Sequence, residues 1–189
     1  MPRQRTLGAR DRILDAADAL FYSKGIRATG IDEIIEVAGV AKASLYKYFA
    51  SKDALIAAYV SRRDKVWRED FERRLREGDC SPRERLLRVF DVLQEWFRTK
   101  TFRGCAFINA SIELADASHA GHRAALRNKR ALRALLTELA EEAHLARPAE
   151  VGAQLAVLVN GAIATAAMEH DGRGAERARA VAELIVRAA

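Results

Sequence analysis

The sequence predicts an all-α protein, and three observations carry that expectation. Apolar residues recur at spacings of three and four along nearly every segment. Glycines and prolines fall between these stretches, where they end one helix and open the next. No segment alternates apolar and polar residues in the manner of a half-buried strand.

The elements follow in order. Ile13, Leu14, Ala17, Leu20 and Phe21 form the buried stripe of a first helix, and Gly25 stands where that helix stops, ready for a left-handed conformation. A short second helix, "IDEIIEVAG", turns Ile31, Ile34 and Ile35 inward and ends at Gly39. A third covers "LYKYF". A longer helix starts near Ser51, a cap-type residue in "SKDAL", and runs to about Glu77. Pro82 opens the next, with Leu86, Leu87, Phe90, Leu93, Trp96 and Phe97 on it. After "TFRG" comes the short apolar helix "CAFINASIELA", then a charged helix over 120–146, another from Pro148, and a last one after "GRG".

Composition narrows the function classes. Half of the 189 residues are apolar, and no run of about eighteen apolar residues occurs, so no membrane span is expected. The basic N-terminus lacks the apolar stretch of a secretory signal, which makes a cytoplasmic protein the expectation. Cys80 and Cys105 stand apart without metal-ligand spacing, as thiols of a reduced compartment would. Residues 1–52 hold nine Lys/Arg against six Asp/Glu, a net +3, while the other 137 residues together also carry +3. A basic end on a nearly balanced body points to a polyanion partner at that end.

The short helices joined by "AGVAK" have the layout of a helix-turn-helix, with the later helix available for a major groove. At 100° per residue, Leu45 and Phe49 share one side and are expected to pack on Ile34, Val37 and the first helix. Ala43, Ser44 and Lys47 lie opposite. Tyr46 and Tyr48 fall on the flanks, about 80° from the centre of the stripe. There a tyrosine buries a ring edge and still offers its hydroxyl to phosphate. Spacing and charge alone fit an ordinary helical hairpin with solvated lysines equally well.

A family resemblance separates the two readings. "ILDAADALFYSKGIRATGIDEIIEVAGVAKASLYKYFASKDAL" resembles the DNA-binding domain of the TetR family of bacterial transcriptional regulators. The pattern is met by Phe21 and Gly25, Ala28 and Thr29, Gly39 and Val40, Leu45 with Tyr46 and Phe49, then Ser51, Lys52 and Leu55, without a gap. The resemblance implies a helix-turn-helix domain in residues 1–52 and a helical effector-binding and dimerisation domain in 53–189. It implies a homodimer on a palindromic operator, most often a repressor that a small-molecule effector releases. By position it places Thr29 and Ile31 against the phosphate backbone, Lys42, Ala43, Ser44 and Lys47 towards the bases, and Tyr46, Tyr48 and Lys52 on phosphates. The sequence departs from the pattern at Ala41, where Ser or Thr commonly caps the helix, and at Ala43, where glycine is frequent. Arg3, Arg5 and Arg10 precede the expected start of the first helix, as a basic arm or a plain basic tail.

A ligand shifts DNA affinity only by preferring one conformation, so such a regulator needs a second site. The helix from Ser51 is the natural lever. Trp67 and Phe71 on it, with Phe90, Trp96 and Phe97 on the next helix, are candidate cavity-lining residues, or ordinary core aromatics. Asn109 and Glu113, four apart, are expected on one inward face, and Asn160 interrupts "LAVLVNGAIATAA", because buried polar groups need partners. "RGCAFINASIELAD" also resembles one subgroup of the family, in which this helix lies near the pocket. Cys105, beside Arg103, is either a redox-sensitive thiol or an inert buried one, and His119 with His122 beside Asp116 either binds a metal or is solvated. Neither a metal nor a cofactor is expected. Gly161, Ala162, Ala164, Ala166 and Ala167, then Ala178, Ala180 and Ala182, give the last two helices small faces, which the family uses for dimerisation; a core within one chain is the alternative and explains the composition less well. The alternatives are a DNA-binding activator or architectural protein without a ligand, and a helical enzyme. No nucleophile–base pair, phosphate loop or metal triad supports the enzyme.

Overall fold

The computed structural model describes residues 8–189, and the regular elements found there are all helices. They are α1 (Ala9–Lys24), α2 (Ile31–Ala38), α3 (Lys42–Tyr48), α4 (Lys52–Leu75), α5 (Pro82–Phe97), α6 (Ala106–Leu114), α7 (Ala120–Glu142), α8 (Pro148–Glu169) and α9 (Arg173–Ala188). The two long charged helices stop short of their expected ends, α4 at Leu75 and α7 at Glu142. The chain divides into two compact units, Met1–Lys65 with Ala106–Leu126, and Val66–Cys105 with Arg127–Ala189. The first unit therefore contains the whole expected reading head, the first half of α4, and the chain around α6.

In the first unit α1 packs against both α2 and α3. Ile13, Leu14, Ala17 and Phe21 meet Ile34, Ala38 and Leu45 there, all buried. Val37, expected in this core, is 58 % exposed, because the α2 stripe continues from Ile34 to Ala38 instead. The first half of α4 adds Leu55, Ile56, Tyr59 and Val60. The Tyr59 ring lies 5.4 Å from that of Phe21, and burial pushes its phenol far above the usual value, so it stays neutral. Two ion pairs brace α4 to α1. Arg62 reaches Asp15 at 2.7 Å, and Arg63 reaches Asp18 at 2.8 Å while its guanidinium stacks 3.7 Å over the Tyr22 ring.

In the second unit α5 starts at a full capping box: Ser81 accepts the Glu84 N–H, and Glu84 accepts the Ser81 N–H at 2.8 Å. Helix α5 packs on α8 and α9, and α8 packs on α9. Gly152 and Gly174 permit the closest approaches. A Cβ on Gly152 would stand 2.7 Å from the Thr137 backbone nitrogen of α7, and one on Gly174 would stand 2.9 Å from the Ala162 carbonyl oxygen of α8. The small residues of α8 and α9 thus serve the fold of one chain first: Ala162, Ala166, Ala178 and Ala182 are buried in it. Helix α8 is long and apolar enough to span a bilayer by length and composition. Its stripe of Val151, Leu155, Val159, Ile163 and Ala166 is buried within the protein, as in the core helix of a globular domain.

Candidate nucleic-acid interface and effector cavity

The helix-turn-helix is set by the turn at Gly39. That residue has φ 59° and ψ 46°, the left-handed conformation, and donates its N–H to the Glu36 carbonyl. Val40 donates to the Ile35 carbonyl at 3.3 Å. The pair of bonds is a Schellman close, which satisfies the last carbonyls of α2 and re-aims the chain for α3. Ala41 precedes α3 in an extended conformation with no side-chain cap, as its identity requires. Leu45 and Phe49 are 0 % and 4 % exposed, so they anchor α3 on the head. The rest of α3 faces outward. Lys42, Ala43, Tyr46, Lys47 and Tyr48 are exposed and Ser44 is half-buried.

Electrostatics differentiates these residues. The Lys42 ammonium meets the Asp32 carboxylate at 3.0 Å, and this hydrogen bond and charge hold Lys42 above the usual lysine range. Both side chains are exposed, so the pair is readily opened. The Lys47 ammonium lies 5.9 Å from the centroid of the Tyr48 ring. Lys52 donates one N–H to the Ile26 carbonyl at 2.8 Å, which fixes its position and leaves two donors of its ammonium.

Two expected backbone contacts stand differently. Thr29 is 1 % exposed, and its hydroxyl donates to the Gly25 carbonyl at 2.8 Å, so its side chain serves the α1–α2 turn and does not face a phosphate. Ile31, half-buried, begins α2. Of the expected basic arm, Arg3 and Arg5 lie outside the described residues. Arg10 lies inside α1, with its guanidinium 5.6 Å from the centroid of Phe49.

The α1–α2 turn has a partner that the sequence did not indicate. Glu113, at the end of α6, accepts the backbone N–H of Arg27 at 3.0 Å, and the Arg27 Nε donates to the Glu113 carbonyl at 2.6 Å. Glu113 is thus committed to the head and does not face an effector cavity. Asn109, on the same helix, is exposed and not inward. The apolarity of "CAFINASIELA" and the spacing of its polar residues do not say what the helix packs on.

A cavity of about 390 Å³ opens in the second unit between the last turns of α4 and the second half of α5. Trp67, Asp70, Phe71 and Arg74 line one wall, and Val92, Leu93, Glu95, Trp96 and Thr99 the other. Trp67 and Phe71 are stacked with ring centroids 4.6 Å apart, and Trp96 meets Phe102 edge to face at 4.9 Å. Three of the five candidate aromatics, Trp67, Phe71 and Trp96, therefore share one cavity. Phe90 is 1 % exposed in the core, and Phe97 backs Trp96 from inside. Asn160 does not line the cavity either; its side-chain oxygen accepts the Lys129 ammonium at 2.8 Å. Cys105 is 6 % exposed just before α6. His119 accepts the Gly121 N–H at 2.9 Å and stands 3.4 Å from Asp53, and the described residues hold no cluster of His, Cys, Asp or Glu fit for a metal.

Residues 13–59, from α1 into α4, match the family model of bacterial regulatory proteins of the tetR family. Over the whole chain the fold is similar to SCO4454, a TetR-family transcriptional regulator from Streptomyces coelicolor. The identity is 32 % and the TM-score 0.88, covering 95 % of this chain and 94 % of that one. The reduced form of E. coli NemR is similar at 25 % identity and a TM-score of 0.84, over 92 % of this chain and 94 % of that one. In sequence, the HTH-type transcriptional repressor NemR of Escherichia coli is 28 % identical over 133 residues, 70 % of this chain and 67 % of NemR. The exposed face of α3, the Gly39 turn beneath it and these likenesses converge: the chain belongs to the TetR family and is a DNA-binding transcriptional regulator, not an enzyme.

Proposed function

We propose that the protein is a ligand-responsive repressor that binds a palindromic operator as a homodimer and leaves it when a small molecule occupies the cavity of Trp67, Phe71 and Trp96. The observation that carries the ligand part is the cavity itself: aromatic walls with a few charged groups at the rim are the ordinary make-up of a small-molecule site. The repressor sense is supported by the likeness to NemR, an HTH-type transcriptional repressor.

In this reading Lys42, Ala43, Ser44 and Lys47 meet base edges, and Tyr46, Tyr48 and Lys52 meet phosphates. All but Ser44 and Lys52 are exposed in the free protein. Residues 1–52 form the reading head, and 53–189 bind the effector and the second protomer. Dimerisation is supported by the outer faces of α8 and α9. Val157, Met168, Val181 and Leu184 are 70 %, 82 %, 45 % and 64 % exposed there, and a Cβ on Gly161 would meet nothing within 4 Å. An apolar face of that kind, on two adjacent helices, suits a four-helix contact with a copy of itself. A regulator of chromosomal DNA works in the cytoplasm.

The chain has two tryptophans, Trp67 and Trp96, and both line the cavity, so intrinsic fluorescence reports on it directly. The test selects an operator from random duplexes with the protein itself, then titrates a panel of aromatic compounds while following tryptophan emission and operator release. Compounds that quench saturably should also release operator, and Trp96→Leu should abolish release while leaving ligand-free operator affinity intact. Saturable quenching without release from any compound makes the protein a regulator that this cavity does not control.

A further inference from the structure

The cations of the reading head and its α4 extension sort by what faces them. Lys24, Lys42, Arg62 and Arg63 each meet a carboxylate, from Glu33, Asp32, Asp15 and Asp18 respectively. Arg27 and Lys52 are held by carbonyl oxygens of Glu113 and Ile26. Arg10 and Lys47 face aromatic rings and no carboxylate, and the Arg12 guanidinium has neither an ion pair nor a hydrogen bond among the described residues. Lys47 belongs to α3 itself. Arg10 and Arg12, among the described residues before α4, are exposed, carry no ion pair and lie outside the recognition helix.

Their placement is specific. Two residues apart on α1, they leave the helix about 200° from one another and diverge to opposite ends of α3. Arg10 stacks on Phe49, the residue that ends α3. Arg12 reaches the turn before it, with Nη1 4.0 Å from where a Cβ on Gly39 would lie. A helix with its side chains is about 10–12 Å across and fills a major groove about 12 Å wide. Cations at the two ends of such a helix meet the phosphates of the groove walls, while those on its outer face meet base edges.

We propose that Arg12 and Arg10 form a phosphate clamp that brackets α3 and holds it in register on DNA. A guanidinium suits the role, since its planar donors bind phosphate oxygens in pairs. Neither residue has an ion pair to break on binding, in contrast to Lys42. The ring of Phe49 orients Arg10 without cancelling its charge. The clamp rests on the reading that α3 enters the major groove.

The test is the salt dependence of binding to the selected operator duplex, measured for the full-length protein and for Arg12→Gln, Arg12→Lys, Arg10→Gln, Lys47→Gln and Lys24→Gln. Each lost phosphate contact lowers the slope of log K against log salt by about 0.9. Each substitution is present in both protomers, so Arg12→Gln and Arg10→Gln should each lower the slope of the dimer by about 1.8, Arg12→Lys should keep the slope while weakening binding, and Lys24→Gln should leave it unchanged. The Arg12 side chain is exposed and makes no hydrogen bond among the described residues, so an unchanged melting temperature is expected for Arg12→Gln and separates contact loss from unfolding. If Lys47→Gln weakens binding and Arg12→Gln leaves the slope intact, the clamp is wrong and the reading of α3 stands. If Lys47→Gln and Arg12→Gln both leave binding and slope intact, the reading of α3 fails and the clamp fails with it.

Discussion

The carboxylate of Glu113 lies across Gly25 and accepts the backbone N–H of Arg27 at 3.0 Å, closing α6 onto the α1–α2 turn from 86 residues away. A Cβ on Gly25 would meet the Glu113 Oε2 at 3.0 Å. Gly25 also has φ 98° and ψ 157°, a region that glycine alone enters without strain. The turn that launches α2 is therefore built from a glycine conformation, the buried Thr29 hydroxyl, the Lys52 ammonium and a carboxylate from a distant helix.

Gly25→Ala should cost about 1–3 kcal/mol through backbone strain, and more if Glu113 cannot move aside. For a chain of this size each kcal/mol lowers the melting temperature by about 2–4 °C, which calorimetry reads. Glu113→Ala should be milder, about 0.5–1.5 kcal/mol for the lost hydrogen bond. Its sharper signature is faster hydrogen exchange at the Arg27 amide. Wild-type protection of that amide in Glu113→Ala would show that the contact does not hold the turn.

Asp32 pairs with Lys42, one of the residues proposed to meet DNA. Asp32→Asn should tighten DNA binding by about two- to fivefold, since it frees the lysine and removes a like charge to phosphate. The gain should shrink as salt rises, because the Debye length falls from about 10 Å at 0.1 M to 3 Å at 1 M. Equal or weaker binding at low salt would mean that Asp32 positions Lys42 for DNA.

Leu184 is 64 % exposed on α9 and takes no part in the core. Leu184→Glu should leave the helical content unchanged and shift the protein to a monomer in analytical ultracentrifugation, with loss of operator binding. A monomeric wild type would remove this face from the dimer. A dimeric Leu184→Glu with full affinity would place the contact elsewhere.

The α5 capping box gives a pH-dependent prediction. Hydrogen bonds from the Ser81 hydroxyl and then its backbone N–H hold the Glu84 carboxyl below its usual value. A carboxylate with a lowered folded value contributes stability above its unfolded pKa of about 4.3 and loses it as pH falls through the folded value. Ser81→Ala should lower the melting temperature at pH 7 by about 2–4 °C, from the loss of a helix cap worth about 1 kcal/mol. The difference from wild type should narrow as the pH drops below the ordinary carboxylate range. A constant difference down to acid would assign the effect to the hydroxyl alone.

Legibility varied with the kind of signal. The Gly39 turn and the helix starts at Pro82 and Pro148 were readable because each is a local conformational constraint carried by one residue. Leu45 and Phe49 were readable because burial follows the helical period. Val37 was not, since Ala38 shares nearly the same face and either could continue the stripe. Among the candidate effector residues, Trp67, Phe71 and Trp96 came together because they fall on facing stretches of α4 and α5. Phe90 and Phe97 have the same chemistry and similar spacing, and only packing sent them to the core.

The sequence by itself determined the helical fold class, the faces of α3, and membership of a DNA-binding family, since all three rest on local period and on a gap-free motif. Tertiary structure alone decided the partners of the polar groups. It turned Thr29 inward, gave Glu113 to the head and Asn160 to Lys129, and left Arg10 and Arg12 without acids while pairing their neighbours. A helical period says which face a side chain occupies. The group that meets that face is set by how distant segments close on one another, and no local pattern encodes that distance.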